Sequence, residues 1–254
     1  MKISILVPIY NVADKIERCA VSLFEQTYKD IEYVFVNDCT PDNSIQVLES
    51  VLQRYPERVP QVKILHNESN LKQAGTRNRL LDSATGGLIM FVDSDDYLTL
   101  DACEKLFRKM QESEADIVSG AYTNLKPDGE SVIVPPVSTN RDKAYRRLLC
   151  LSYGNCMLWS RLYKAELFAN QAMRAMDGVN LAEDYMMTSR VMYKAKMDII
   201  DDVVYYYDET EVRDYSKIYD AYINHLEQST AVVLAYLKAN KPASDRYIPC
   251  AQMA

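Results

Sequence analysis

Glycine is scarce in this sequence and is missing where a phosphate-binding loop would need it. There are 7 glycines in 254 residues, and none lies in residues 8–12, which follow the first apolar run. Rossmann and P-loop folds need a glycine-rich turn there, because their backbone approaches the phosphates closely. The sequence therefore excludes both classes. It also disfavours a sugar nucleotidyltransferase, which needs a glycine-rich, lysine-bearing turn at the same place.

Patterns typical of zinc sites, membrane spans and nucleic-acid binding are also missing. The six cysteines include no Cys-x-x-Cys pair and the two histidines are isolated, so neither a zinc site nor a disulfide framework is predicted. No apolar run approaches the ~20 residues that a bilayer requires. The net charge of −7 disfavours a nucleic-acid partner. The first apolar run is too short for a signal peptide, so we expect a cytoplasmic protein.

Apolar strands and amphipathic helices alternate through the first half of the chain. Such alternation predicts an α/β fold with a doubly wound, mostly parallel sheet. The regularity ends near residue 123, beyond which strands and helices are mixed, and helical spacing returns over residues 215–237. The predicted strands cover residues 3–9, 31–36, 62–65, 88–92, 116–122, 132–134, 156–163 and 199–207, and the main predicted helices cover residues 13–27, 73–84, 101–114 and 182–196.

The run from Leu88 to Val92 is followed directly by three carboxylates, Asp93, Asp95 and Asp96. Because side chains alternate along an extended segment, Asp93 and Asp95 should point the same way. Hard oxygen ligands at the end of a buried strand suit Mg²⁺ or Mn²⁺, which needs few protein carboxylates when a diphosphate and water complete its shell. Taken alone, the same pattern is also typical of a solvated acidic turn.

Polar clusters at the ends of other predicted strands favour the functional interpretation. Tyr10 and Asn11 follow the first strand, and Asp38 follows the second. The carboxyl ends of parallel strands meet at one edge of a sheet, which is where open α/β sheets bind ligands. The sequence therefore predicts a metal–nucleotide site at that edge.

These segments together resemble family 2 glycosyltransferases with the GT-A fold. The matching segments are Ser-Ile-Leu-Val-Pro-Ile-Tyr-Asn at residues 4–11, Val-Asn-Asp-Cys-Thr-Pro-Asp at residues 36–42, residues 70–78, and Phe-Val-Asp-Ser-Asp-Asp at residues 91–96. Their order and spacing both match, and the resemblance covers roughly residues 1–210. It implies an inverting, metal-dependent transfer of one sugar from a nucleotide diphosphate donor, usually UDP-linked, to an acceptor hydroxyl.

The resemblance also implies roles for individual residues. Tyr10 and Asp38 match residues that hold the base, Arg77 matches an arginine near the nucleotide, Asp93 matches a ribose or sugar contact, and Asp95 matches the metal ligand. The residues predicted to bind substrate are Pro8, Tyr10, Asn11, Asp38, Arg77, Asp93, Asp95, Trp159 and Glu183. Mn²⁺ or Mg²⁺ is the predicted cofactor.

Two adjacent acids, Glu183 and Asp184, begin a predicted helix and resemble the pair that carries the catalytic base in this family. Direct inversion needs one base to take the acceptor proton. The residues alone do not distinguish between the two acids. Acids are also common at helix starts for a purely structural reason, because they interact favourably with the helix dipole. The resemblance favours Asp184, because the family places the base on the second acid.

The sequence departs from the family pattern at three positions. Asn37 stands where an aspartate is usual, and Cys39 and Lys72 stand where glycine is common. The Gln-x-x-Arg-Trp signature of processive synthases is absent, so one sugar is expected per turnover. Trp159, placed on the acceptor side, is either a sugar-stacking platform or core.

The expected organisation is a donor half at residues 1–122, an acceptor half at 123–212 and a helical extension at 213–254. The expected setting is synthesis of a cell-surface polysaccharide or lipid-linked glycan, with peripheral contact at the inner membrane face through the extension. A non-catalytic nucleotide-sugar-binding module is the alternative from another class. It would keep Asp38 and Asp95 but would not need Asp184.

Overall fold

The fold was obtained as a computed structural model, which describes residues 1–136, 138, 140–151, 156–211, 219–241 and 244–252. Within these residues there are nine strands: β1 (Ile3–Ile9), β2 (Ile31–Asn37), β3 (Val62–His66), β4 (Leu88–Phe91), β5 (Tyr97–Leu98), β6 (Ile117–Leu125), β7 (Ser131–Val134), β8 (Arg161–Lys164) and β9 (Met197–Asp208). They form one sheet in the order β3-β2-β1-β4-β8-β6-β9-β5, with β7 paired to β6.

The first four strands are parallel and carry the site. β1 lies between β2 and β4, with Ile9 opposite Asn37 and Leu6 opposite Phe91. β1 and β4 are buried along their whole length, which explains why their sequences are continuously apolar rather than alternating. The register brings the carboxyl ends of β1, β2 and β4 to one edge, as the sequence predicts.

Helices cover both faces of the sheet and divide the apolar core into two clusters. The helices are α1 (Ile16–Phe24), α2 (Ser44–Leu52), α3 (Lys72–Ser83), α4 (Ala102–Ser113), α5 (Arg141–Leu149), α6 (Glu183–Val191), α7 (Tyr219–Ala239) and α8 (Ile248–Ala251). One cluster packs α1, α2 and α4 on the sheet, and the other packs α3, α5, α6 and α7.

The helix α7 packs tightly on α6. Val233 and Leu237 are fully buried, and the Ser229 hydroxyl donates a hydrogen bond to the Ala182 carbonyl (3.0 Å). The described part of the C-terminal segment is thus continuous with the core beneath the site. Among the described residues, none of the helices combines the length and apolar character needed to cross a bilayer.

Element bounds differ from the sequence predictions mainly beyond residue 97. The two-residue strand β5 was not predicted, β8 begins at Arg161 rather than residue 156, and β9 extends over Met197–Asp208. The predicted start of the last helix at residue 215 and the predicted boundary at residue 212 lie outside the described residues. Asn140 caps α5, because its side chain accepts a hydrogen bond from the Lys143 amide (3.0 Å).

Candidate active site

A cleft of about 770 Å³ opens at the carboxyl ends of β1, β2 and β4. Its size suits a small-molecule ligand, since such sites typically measure roughly 300–1,000 Å³. Its lining comes from β1, α3, α6, β9 and α7, from the segments that follow β2 and β4, and from residues 156–159. The predicted site residues that line it are Pro8, Tyr10, Asp38, Arg77, Asp93, Asp95, Trp159, Glu183 and Asp184.

Asn11 is the exception among the predicted site residues. As far as the described residues define the cleft, it is not part of the lining. Its backbone is left-handed (φ 54°), and its amide donates to the Thr40 hydroxyl (2.7 Å). Asparagine tolerates this conformation better than most residues. The structure therefore gives Asn11 a turn-forming role, and its contact with substrate stays a prediction.

Asp38 follows β2 and is held in place on one of its two oxygens. Its Oδ1 accepts hydrogen bonds from Asn67 Nδ2 and from the Leu71 amide, both at 2.7 Å. The residue is 4% exposed. Two fixed donors orient the carboxylate at the cleft wall.

Arg77, on α3, lies at the centre of three carboxylates and is buried. Its Nη2 is 3.2 Å from Asp93 Oδ1, and its Nε is 3.5 Å from Glu183 Oε1 and 3.4 Å from Asp184 Oδ1. Burial alone would lower the pKa of Arg77, but Asp184, Asp93 and Glu183 hold it above the ordinary arginine value. One guanidinium thus joins the acids that follow β4 to the acids that begin α6.

The two acids at the start of α6 differ in exposure. The Glu183 side chain is 8% exposed and that of Asp184 is 21% exposed. Burial, together with the neighbouring Asp184 charge, raises the pKa of Glu183 above its ordinary value, against the effect of Arg77. Asp184 Oδ2 accepts a long hydrogen bond from the Leu158 amide (3.4 Å). Asp184 is therefore the more accessible acid.

Asp96 points away from the cleft, unlike Asp93 and Asp95. It is 1% exposed and accepts hydrogen bonds from the Tyr205 hydroxyl (2.6 Å) and the Asp208 amide (2.9 Å). Burial, with the charges of Asp95 and Asp93, raises the pKa of Asp96 well above the usual range. Asp93 and Asp95 both line the cleft, as the sequence predicts, but residues 93–96 form a turn, so the alternation of an extended strand is not what places them there.

Trp159 lines the cleft but does not present a free aromatic face. Its ring stacks on Tyr205 (centroids 4.6 Å apart, 9° between planes) and on Tyr207 (5.2 Å, 22°), and the residue is 4% exposed. Tyr122 contacts it edge-on at 4.7 Å. The structure therefore favours packing over a stacking platform, and the contact of Trp159 with substrate stays a prediction.

Cys39 and Lys72, the two positions where the family commonly has glycine, both have left-handed backbones. Their φ angles are 56° and 60°. The local conformation that favours glycine is thus kept, while each position carries a side chain. Lys72 lines the cleft, and its Nζ is 5.9 Å from the centroid of the exposed Tyr10 ring.

Sequence reasoning missed the contribution of α7 to the cleft. Tyr222 and Leu226 line it, as does Asn180, whose Oδ1 accepts a hydrogen bond from the Ala74 amide (3.2 Å). The spacing of Tyr222 and Leu226 predicts a buried helical face, but only the packing of α7 on α6 shows where that face lies.

The described residues contain no group of three or more His, Cys, Asp or Glu side chains placed to hold a metal ion. At nucleotide sites, Mg²⁺ and related ions need only one or two carboxylates, because phosphates and water supply the other ligands. Asp95, half-buried in the cleft, offers the hard oxygen such ions prefer. The residues present therefore fit an ion that is bound together with a diphosphate.

Comparison with known proteins finds glycosyltransferases among the relatives of this chain. The chain is 29% identical over 214 residues to the uncharacterized glycosyltransferase EpsJ of Bacillus subtilis (strain 168), covering 82% of this chain and 61% of that protein. The chain thus spans about three fifths of the length of this relative.

Solved structures share the fold. The S. aureus TarS 1-349 complex with UDP-GlcNAc has a TM-score of 0.79 at 20% identity, covering 100% of this chain and 71% of that one. The Pyrobaculum calidifontis mannosyltransferase PcManGT, in complex with GDP-Man and Mn²⁺, has a TM-score of 0.61 at 19% identity, covering 98% of this chain and 72% of that one. These likenesses confirm the predicted GT-A-like fold.

The family model described as glycosyl transferase family 2 matches residues 4–170, about two thirds of the chain. That range includes β1 to β8 and the cleft residues from Pro8 to Trp159. On this match, and with the fold and relatives in agreement, the chain belongs to glycosyl transferase family 2.

Proposed function

We propose that this chain transfers one sugar, with inversion, from a UDP-linked donor to an acceptor hydroxyl during synthesis of a cell-surface glycan. The observation that carries the proposal is the convergence of Asp38, Asp95 and Asp184 on one cleft, although they come from β2, the end of β4 and the start of α6. The UDP-GlcNAc complex of TarS supports a UDP-linked donor.

The donor nucleotide is assigned to the side of the cleft formed by β1, β2 and α3. Tyr10 is 47% exposed there, so its ring is accessible to a base. Both hydrogen bonds of Asp38 end on Oδ1, which makes Oδ2 the atom expected to meet the ligand. Arg77 also lines the cleft, and the family resemblance places it near the nucleotide.

Asp95 is the residue we assign to a divalent ion, Mn²⁺ or Mg²⁺. When bound, the ion supplies Lewis-acid stabilisation of the negative charge on the departing diphosphate. The Mn²⁺ present with GDP-Man in PcManGT supports this assignment. Asp93 is oriented by its ion pair with Arg77 and is assigned to the ribose or the sugar.

Asp184 is assigned as the general base. As the acceptor oxygen bonds to the anomeric carbon, its proton passes to the Asp184 carboxylate, and the bond from that carbon to the diphosphate oxygen breaks on the opposite face. Glu183 is less suited, because its side chain is more buried and its raised pKa favours the protonated form. The structure thus offers a reason for preferring Asp184.

The experiment compares two neighbouring isosteric changes, Asp184→Asn and Glu183→Gln. UDP release from UDP-GlcNAc and UDP-Glc is measured with Mn²⁺, and UDP binding is measured separately by thermal stabilisation. We expect Asp184→Asn to lower turnover by roughly 10²- to 10⁴-fold with UDP binding retained. We expect Glu183→Gln to lower it by less than about tenfold, because glutamine resembles a protonated glutamate.

Two results would contradict the proposal. Wild-type turnover in Asp184→Asn would remove the base assignment. If the wild-type protein binds UDP with Mn²⁺ but releases no UDP from any UDP-sugar offered, the non-catalytic binding module is the better interpretation.

A further inference from the structure

A buried hydroxyl joins the two ends of the turn that carries the cleft aspartates. The Asp96 amide donates to the Asp93 carbonyl (3.1 Å), which makes residues 93–96 a tight turn. The Asp93 amide donates to the Tyr205 hydroxyl (3.2 Å), and that hydroxyl donates to Asp96 Oδ2 (2.6 Å). Tyr205 therefore joins the first and last residues of the turn.

The rest of the turn is held from the same side. The Asp95 carbonyl accepts a hydrogen bond from Arg18 Nη2 (3.2 Å), and Arg18 also pairs with Asp208. The Asp208 amide in turn donates to Asp96 Oδ1 (2.9 Å). Each contact anchors backbone or a buried carboxylate, which leaves the side chains of Asp93 and Asp95 on the cleft side.

The Tyr205 ring is itself fixed by its neighbours. It is fully buried and stacks on Trp159 with ring centroids 4.6 Å apart. It lies on β9, where it pairs with Leu98 of β5, the strand that begins directly after the turn. A rigid aromatic stack thus sets the position of the hydroxyl, and this gives Trp159 a task consistent with its burial.

We propose that Tyr205 is a positioning residue that holds the turn of residues 93–96 and so sets where Asp93 and Asp95 meet the donor and its metal ion. Tyr205 does not line the cleft, so it acts through the turn rather than by touching substrate. From Asp93 the contacts continue to Arg77 and on to Asp184. The link to the donor rests on the proposed function, whereas the effect on the turn does not.

The test compares Tyr205→Phe with Tyr33→Phe. Each change removes one hydroxyl from a fully buried tyrosine, and the Tyr33 hydroxyl donates to the Leu23 carbonyl (2.9 Å), apart from the turn. The first readout is amide hydrogen exchange of a peptide covering residues 91–98, which needs no donor. The second is UDP affinity with and without Mn²⁺, measured by calorimetry.

We expect Tyr205→Phe to speed exchange in the turn by roughly five- to tenfold, as the loss of one buried hydrogen bond implies. We expect UDP affinity in the presence of Mn²⁺ to fall by roughly tenfold, the lower end for residues that orient metal ligands. Tyr33→Phe should change neither quantity. Asp96→Asn, which weakens the same hydroxyl contact and leaves Tyr205 intact, should act in the same direction and serves if Tyr205→Phe does not fold.

The outcomes separate this inference from the proposed function. Unchanged exchange in the turn of Tyr205→Phe, or an equal change in Tyr33→Phe, overturns the positioning role. Faster exchange with undiminished UDP affinity overturns its link to the donor. Faster exchange in a protein whose wild type binds no UDP supports the positioning of the turn and contradicts the proposed function instead.

Discussion

Arg77 should be essential for stability, because one buried guanidinium serves three carboxylates. Replacing Arg77 with methionine keeps an unbranched side chain but leaves Asp93, Glu183 and Asp184 without their shared cation. Removing one partner of a buried ion pair typically costs about 3–5 kcal/mol. The side chains of Asp93 and Asp184 are about one fifth exposed, so we expect a cost at the lower end of this range.

The corresponding change in melting temperature is large enough to measure. A loss of about 3 kcal/mol corresponds to a decrease of roughly 6–12 °C for a domain of this size. The control is Arg54→Met, whose partner Glu17 lies 3.0 Å away with both side chains more than half exposed. Such surface pairs contribute about 0–1 kcal/mol, so the control should melt within roughly 4 °C of the wild type.

The deficit of Arg77→Met should also depend on pH. Arg77 lowers the pKa of Glu183 against the effect of burial, so without the cation the pKa of Glu183 should rise further in the folded variant. A raised folded-state pKa means that the penalty shrinks as pH falls, so the two proteins should differ less at pH 5 than at pH 8. If Arg77→Met melts together with Arg54→Met at both pH values, the guanidinium does not bind the three acids as described.

Two of three further predictions concern the edge of the sheet opposite the cleft, and the third concerns the cleft itself. Burial would raise the pKa of Glu32, but hydrogen bonds from Ser4, Thr85 and Lys63 lower it to about 2. The stabilisation that Glu32 provides is therefore present above its ordinary pKa and is lost as pH falls toward 2. Urea unfolding should show that Glu32→Gln costs about 1.5–3 kcal/mol at pH 7 and less at pH 3. A Cβ at Gly86 would lie 2.6 Å from Ser4 Oγ, so Gly86→Ala should cost about 1–3 kcal/mol, whereas Gly87→Ala, which meets only the flexible Met1 side chain at 3.2 Å, should be tolerated. Lys72→Gly should raise the free energy of unfolding by up to ~1 kcal/mol, because glycine relieves the left-handed backbone, and thermal melts measure this effect. The same change should weaken UDP binding by roughly two- to fivefold, because it removes a cation from the cleft, and calorimetry measures this effect.

The strands β1, β2 and β4 could be predicted within about one residue because burial on both faces leaves a nearly continuous apolar run. Leu88–Phe91 is such a run, and the polar residues that follow it had to lie at the sheet edge once the strands were parallel. The position of Asp38 beside Asp93 and Asp95 followed from that topology alone. Local sequence therefore determined both the fold class and the acidic half of the cleft.

The second half could not be predicted to the same depth, because its pairing is not local in sequence. β9 lies between β6 and β5, and it pairs parallel to one and antiparallel to the other. Nothing in the periodicity of Met197–Asp208 shows which strands flank it. The same limit hid Tyr222 and Leu226, because an apolar helical face is equally consistent with core and with a cleft wall.

Trp159 shows why the type of residue did not reveal its role. A tryptophan near a tyrosine-rich strand is what a sugar platform and a packed aromatic cluster both require. The deciding quantity is whether a ring face is free, and here Tyr205 and Tyr207 stack on it while Tyr122 closes its edge. The stacking that leaves Trp159 little surface for a sugar also fixes the Tyr205 hydroxyl beside the turn of residues 93–96. The burial of Trp159 therefore argues against a sugar platform and supports a role in holding Tyr205.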